Sequence, residues 1–276
     1  MSAAATLCQQ GLELARTANE PGLVAEALYM CAFAAHMQGR SRQAAQLGEE
    51  ALRVARNVGD PRLIGLAFTC LARAATTPIR ERALWRDALA STRQAGDVYY
   101  SIPELWGLAA LELDLGQFGA ARALYEEAIA AGEEIGSPMD LWDSLGSLGW
   151  VLLLQGELEG AMNLCRKSLI ICRRVGRRGG AASAIFKIAC CASGMSNYLL
   201  AAQLFGAKDA IDVDVNGLAP EMAYKPGRLE QHVGDDARAR LRQVLGEAEL
   251  QRVYGVGFRL SFDEATDLAL GKVTLA

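Results

Sequence analysis

Apolar side chains recur along this chain at four-, five- and eight-residue spacings, and the whole pattern returns about every forty residues. Leu47, Ala51, Leu52, Ala55, Val58 and Gly59 form one instance. The same places are held by Leu84, Ala88, Leu89, Thr92, Ala95 and Gly96, then by Leu124, Ala128, Ile129, Gly132, Ile135 and Gly136. Leu164, Ser168, Leu169, Cys172, Val175 and Gly176 follow, and the first residues join the series with Leu7, Gly11, Leu12, Ala15, Ala18 and Asn19. These spacings keep the side chains on one helical face, and the small residues at the second and fourth places let a neighbouring helix approach closely. A second type of helix alternates with the first. It carries a small residue seven before its closing turn, at Ala32, Ala72, Ala109, Gly149 and Ala189, among bulky neighbours such as Leu28 and Phe33 or Leu105 and Leu108. A notch between ridges suits antiparallel packing in a helical hairpin. Two helices per period predict an all-α chain, about five helix pairs stacked as a right-handed α-solenoid.

The punctuation agrees. Gly39, Gly59, Gly96, Gly116, Gly136, Gly156 and Gly176 stand where a helix must close, a place that glycine fills in the left-handed conformation at little cost. Asp60, Asp97 and Ser137 follow as N-caps, and Pro21, Pro61 and Pro138 suit a first helical turn. Two places depart from the pattern. The turn Thr76-Thr77-Pro78-Ile79 lacks glycine and sits in a shorter unit, and Pro103 falls inside a first helix, which predicts a later start for that helix, the alternative being a kink. Residues 1–20 form a second-type helix with no first helix before it. Solenoids normally carry polar caps, so the chain is expected to belong to a longer array or one completed by another domain, with end helices open to self-association.

After Asn197 the pattern changes, and we divide the chain into helical repeats over 1–214 and a helical closing segment over 215–276. A Gly- and Pro-containing loop is expected from Val215 to Gly227, then amphipathic stretches over Leu229–Leu245 and Glu247–Tyr254. Ser261 and Glu264 have the spacing of a capping box opening the last helix. The tract AAQLFGAKDAI, the Leu218-Ala219-Pro220 step and the stretch ARARLRQVLGEAELQRVYGVGFRLSFDEATDLAL resemble the C-terminal end of a large bacterial regulator family. These are predicted ATPases related to LuxR-type and antibiotic-regulatory transcription factors, in which tetratricopeptide-like repeats follow a nucleotide-binding domain. The specific marks are Leu204-Phe205-Gly206-Ala207, Leu245-Gly246-Glu247, and Gly257 leading into Leu260-Ser261 and Asp263-Glu264-Ala265. The resemblance implies a non-enzymatic scaffold that binds a protein or peptide partner, a small-molecule inducer, or both. No Gly-x-x-x-x-Gly-Lys-Ser/Thr occurs, so the phosphate loop of the resembled ATPase is outside this sequence. The alternative is an autonomous tetratricopeptide-like adaptor unconnected with transcription.

Composition narrows the classes further. With 276 residues, 51% of them hydrophobic, the chain can bury a core, which argues against disorder. A net charge of −4 points to no direct nucleic-acid partner and no anionic membrane. Apolar runs such as Trp150–Leu154 are far too short to span a bilayer. Seven cysteines, an odd number scattered on apolar faces, and a start without a basic-then-apolar leader predict reduced thiols in a cytoplasm.

Candidate chemistry is sparse, and no catalytic, cofactor or metal site is nominated. His36 and His232 are far apart and lack a His-x-x-x-His context. Cys165 and Cys172 share a helical face, but Cys172 stands at a repeat place filled elsewhere by Ala55 or Gly132, as a small core residue would. Arg166, Lys167, Arg173, Arg174, Arg177 and Arg178 form the one basic cluster, expected to be a solvated helix end. The pairs Glu49-Glu50, Glu126-Glu127 and Glu133-Glu134 recur at surface places, unlike a catalytic carboxylate pair. The candidate binding residues are the aromatics Tyr99, Tyr100, Trp106 and Trp142, which stand on the helices that line the concave side of such arrays.

Overall fold

The structure, a computed structural model, describes residues 3–218, 224 and 227–274. The described residues form fourteen α-helices and no strand, in two compact units, Met1–Leu115 and Gly116–Ala276. The first unit holds α1 (Ala3–Thr17), α2 (Pro21–Met37), α3 (Ser41–Val58), α4 (Pro61–Arg73), α5 (Pro78–Ala95) and α6 (Val98–Asp114). The second holds α7 (Phe118–Glu134), α8 (Pro138–Leu154), α9 (Leu158–Arg174), α10 (Arg178–Gly194), α11 (Tyr198–Leu218), α12 (Arg228–Leu245), α13 (Glu247–Phe258) and α14 (Phe262–Ala269). From α1 to α6 and from α7 to α11, neighbouring helices in sequence pack against one another as hairpins, while α14 packs on α9, α10 and α11.

The small places of the repeat lie at the helix contacts. Ala51, Ala88, Ala128 and Ser168 are buried, as are Ala55, Thr92, Gly132 and Cys172 four residues later. The notch residues Ala32, Ala72, Ala109 and Ala189 are buried too. At Gly149 a Cβ would stand 3.1 Å from the Ala161 carbonyl oxygen and against the Cys165 sulfur, so α8 and α9 can meet here only over glycine. In α1 the repeat places Leu12 and Ala15 are buried against its neighbours, while Gly11 is exposed and Leu7 and Leu14 are 67% and 71% exposed.

The seven repeat glycines all have positive φ, between 64° and 82°. Asn19 and Ser196 take the same conformation, at φ 55° and 62°, in the corresponding turns where the sequence offers no glycine. Asp60 and Asp97 cap their helices through the Arg62 and Tyr100 amides, at 2.8 and 3.1 Å. Ser137 differs: it makes no side-chain cap, and its hydroxyl donates to the Asp140 carboxylate instead. Pro21, Pro61, Pro78 and Pro138 open their helices.

Two expectations need correction, on the start of α6 and on the loop at Val215, while the shorter unit is found as expected. Helix α6 does not start late; it runs from Val98 through Pro103. Pro103 lies beyond the first turn and forfeits one backbone hydrogen bond, while the Asp97 cap and burial of Ile102, Leu105, Leu108 and Leu111 hold the helix in place. The break without glycine at Thr76-Thr77 coincides with a short α4 of 13 residues, against 17 for α2, α6, α8 and α10. The expected loop at Val215 begins later, since α11 continues to Leu218; Ala219 and Pro220 lie outside the described residues.

The closing segment is built onto the repeats by backbone contact. A Cβ on Gly206 of α11 would collide with the Tyr254 carbonyl oxygen of α13, and one on Gly257 of α13 would collide with the Gln203 carbonyl oxygen of α11. Two reciprocal glycines thus let α11 and α13 cross at main-chain distance. Gly234 of α12 similarly seats against the Phe186 ring of α10. The Ser261–Glu264 capping box forms as the spacing predicts, with the Ser261 amide 2.8 Å from Glu264 Oε2.

Candidate interaction face

The four nominated aromatics divide between the units. Tyr99, Tyr100 and Trp106 are on α6, and Trp142 is on α8. Tyr99 is 57% exposed and meets half-buried Tyr100 edge-on, with ring centroids 5.1 Å apart. Tyr100 is oriented from both ends: its amide donates to the Asp97 cap, and its ring packs beside Ala25, Ala55, Leu63 and Leu66. Trp106 and Trp142 are half-buried, with indole nitrogens shielded from solvent and making no hydrogen bond within the protein. Trp142 lies under the Arg177 guanidinium, 5.0 Å from its centroid, and touches the place where Gly180 lacks a side chain. Trp142 thus joins α8 to the start of α10.

Around Tyr99 and Tyr100 the first unit assembles a polar and aromatic surface from α2, α4 and α6. Arg62 donates to Glu26, which links α4 to α2. The Tyr29 hydroxyl is pushed up to about 12, mainly by burial, with Cys70, Tyr100 and Tyr99 adding to the shift and Arg73 opposing it. Arg73 lies between the Phe33 and Trp85 rings, at 5.6 and 5.4 Å. His36 is held below its ordinary range, first by burial and then by nearby Arg73, which favours the neutral imidazole. The surface therefore offers a tyrosine pair, an arginine with one ion-pair partner on the neighbouring helix, and an arginine stacked between rings. These are side chains that dominate protein-protein contacts.

Beneath it lies a carboxylate that the spacing analysis did not single out. Glu104 is 1% exposed and accepts hydrogen bonds from Thr69, at 3.1 Å, and from Thr92. Burial raises its pKa to about 7, partly offset by the two hydroxyls and Arg93, while Asp97 adds to the rise. The signal was present in the sequence: Glu104 adjoins Leu105 and precedes Leu108 by four, a charged residue on an apolar face.

In the second unit the comparable surface of α8 and α10 is covered by the chain itself. Lys187 of α10, 6% exposed, faces Glu230 of α12 at 3.4 Å. Glu230 also accepts from the Tyr224 hydroxyl at 2.8 Å and the Gly227 amide at 3.1 Å. The Tyr224 ring rests against Phe186, centroids 5.8 Å apart.

The basic cluster also works internally. Arg166 Nε donates to the Ala269 carbonyl at 3.0 Å, and Arg173 binds Asp267 at 2.6 Å and Asp263 at 3.0 Å. Arg178 reaches Asp214 at 3.4 Å and sits 5.0 Å over the Phe262 ring. Three of the six expected solvated cations, Arg166, Arg173 and Arg178, are thus clamps on α14 or its surroundings. Of the cysteines, Cys31, Cys70, Cys165, Cys172, Cys190 and Cys191 are buried free thiols whose pKa values burial raises. Among the described residues, no group of three His, Cys, Asp or Glu side chains is placed to hold a metal, and no helix is long and apolar enough to cross a membrane.

Comparison with known proteins agrees with this architecture. Residues 143–175 match the tetratricopeptide repeat family. No curated protein matches the chain by sequence. Among solved structures, BtubC (BKLC) from P. vanneervenii superposes with a TM-score of 0.67 at 18% identity, over 82% of this chain and 94% of that one. A signal transduction ATPase with numerous domains and a tetratricopeptide repeat sensor, from Pyrococcus horikoshii, superposes with a TM-score of 0.54 at 14% identity. That match covers 86% of this chain but 39% of the ATPase. The chain therefore has the fold of tetratricopeptide-like repeat proteins, which present helical surfaces for binding.

Proposed function

We propose that the chain is the partner- or inducer-binding repeat region of a bacterial ATPase-linked transcriptional regulator, with residues 1–214 as repeats and 215–276 as the closing segment. Its contact surface is the face of α2, α4 and α6 around Glu26, Arg62, Tyr99 and Tyr100. One observation carries this reading: the marks of the family resemblance, Leu204–Ala207 and Gly257, belong to a single backbone crossing between α11 and α13. A generic repeat array has no need of that crossing. The fold shared with the repeat sensor of a signal transduction ATPase supports it further.

In such a regulator a bound partner acts only through unequal affinity for two states of the linked ATPase. The reading is tested by sequencing the genome on both sides of this segment, then assaying. A phosphate-loop domain in frame or adjacent, whose ATP hydrolysis changes when this chain is joined to it, supports the proposal. That change should be lost in the Tyr99→Ala, Tyr100→Ala variant. Unrelated neighbours on both sides would instead make this a free-standing adaptor.

A further inference from the structure

We propose that the well between α11, α12 and α13 is a binding site for a small amphipathic organic anion, an aryl carboxylate or sulfonate. The well encloses about 300 Å³, at the lower end of the range for small-molecule sites. Its floor is apolar and buried: Ala202 and Phe205 from α11, Leu241 from α12, Leu250 from α13. Its mouth is polar, formed by Arg238, Arg242, Gln251 and Tyr254, with the Asp209 carboxylate also on the wall. The reciprocal glycines fix α11 against α13, so two walls are set before a ligand arrives, which reduces the ordering cost of binding.

The charge arrangement selects an anion. The Arg238 guanidinium sits 4.5 Å over the Phe205 ring. It reaches Asp209 only through one nitrogen, at 3.4 and 3.5 Å, which are long contacts for a charge-assisted bond. Asp209 has better partners, the Tyr254 hydroxyl at 2.8 Å and Lys208 at 3.1 Å. An incoming carboxylate can therefore take Arg238 without stranding Asp209. Arg242 is exposed and tied only to Glu247, at 3.5 Å. Two guanidiniums with weak partners at the rim of an apolar floor suit a ligand with a charged edge and a flat apolar body. An inorganic anion gains nothing from that floor.

The site belongs to the second unit and does not depend on the partner-binding reading above. The test is fluorescence titration of the full chain with anilinonaphthalene sulfonate, then displacement by naphthoate or by naphthalenemethanol. We expect saturable one-site binding, displaced by naphthoate and not by the alcohol. Arg242→Gln should weaken it by about tenfold, the scale of one charge-assisted contact. Gln251→Trp, which fills the mouth, should abolish it. Both changes are at exposed places, so circular dichroism melting should match the parent. Tyr99→Ala should bind the dye as the parent does. Absence of saturable binding, unchanged affinity in both mouth variants, or equal displacement by the alcohol would overturn the proposal.

Discussion

The two units use the same repeat but treat the surface of their first helices in opposite ways. In the first unit that surface is open, with Tyr99 projecting and Arg62 paired only to its neighbours Glu26 and Asp60. In the second, Glu230, Tyr224 and Gly234 of the closing segment press onto α10, and Lys187 has lost its water. One scaffold thus yields a surface available to another molecule and a surface already occupied. The difference lies in where small residues fall: Gly206, Gly234 and Gly257 admit the closing helices, and the first unit has no counterpart to that segment.

The largest expected effect comes from removing that admission. Gly257→Ala drives a methyl into the Gln203 carbonyl, and since neither main chain can rotate away, we expect a loss of about 3 kcal/mol or more in urea unfolding. Protection from hydrogen exchange should fall in α11–α14 and not in α1–α6; an equal fall in both units would break the comparison.

The next effect separates the units by pH. Glu104 titrates near 7 when folded and near 4.5 when unfolded, so the folded state holds its proton more tightly. Its contribution is complete below about pH 4.5 and is lost as pH rises through about 7, a decline on the order of 3 kcal/mol. Glu104→Gln should flatten the slope of stability against pH over that window for the first unit alone, as read by residue-resolved hydrogen exchange.

A loss of about 2 kcal/mol is expected for Glu230→Ala, which leaves Lys187 buried without its ion-pair partner and removes one acceptor from the Tyr224 hydroxyl. The informative readout is exposure of Lys187 to amine-reactive labelling. Labelling no faster than in the parent would mean that α12 covers α10 without this ion pair.

The smallest effect is a gain. Ser196→Gly relieves a serine at positive φ and should stabilise the second unit by about 1 kcal/mol, with Asn19→Gly giving less in the first because asparagine tolerates that conformation. A rise in thermal midpoint checks both.

Much of the fold was legible because it is written locally. Period, notch and closing glycine each depend on residues within one hairpin, and Ala51, Ala109 and Gly176 stand where that grammar puts them. The helix through Pro103 was not legible, since what holds it is burial of leucines against other helices. The site was harder to read. Tyr99 and Tyr100 could be nominated from the helix type, and Glu104 escaped because its hydroxyl partners lie on two other helices. The arginine cluster read as solvated because its acidic partners lie about ninety residues downstream, as with Arg173 and Asp267 at a separation of 94.

That clamp bears on the order in which the molecule is made. Hairpins close through contacts near in sequence, which is why helical repeats fold quickly and in pieces. Arg166 finds the Ala269 carbonyl 103 residues later, so this contact of α9 must wait until α14 has left the ribosome. The first unit can form while the second is still being made, and until α12–α14 have emerged the α10 surface is briefly as open as that of the first unit's own helices.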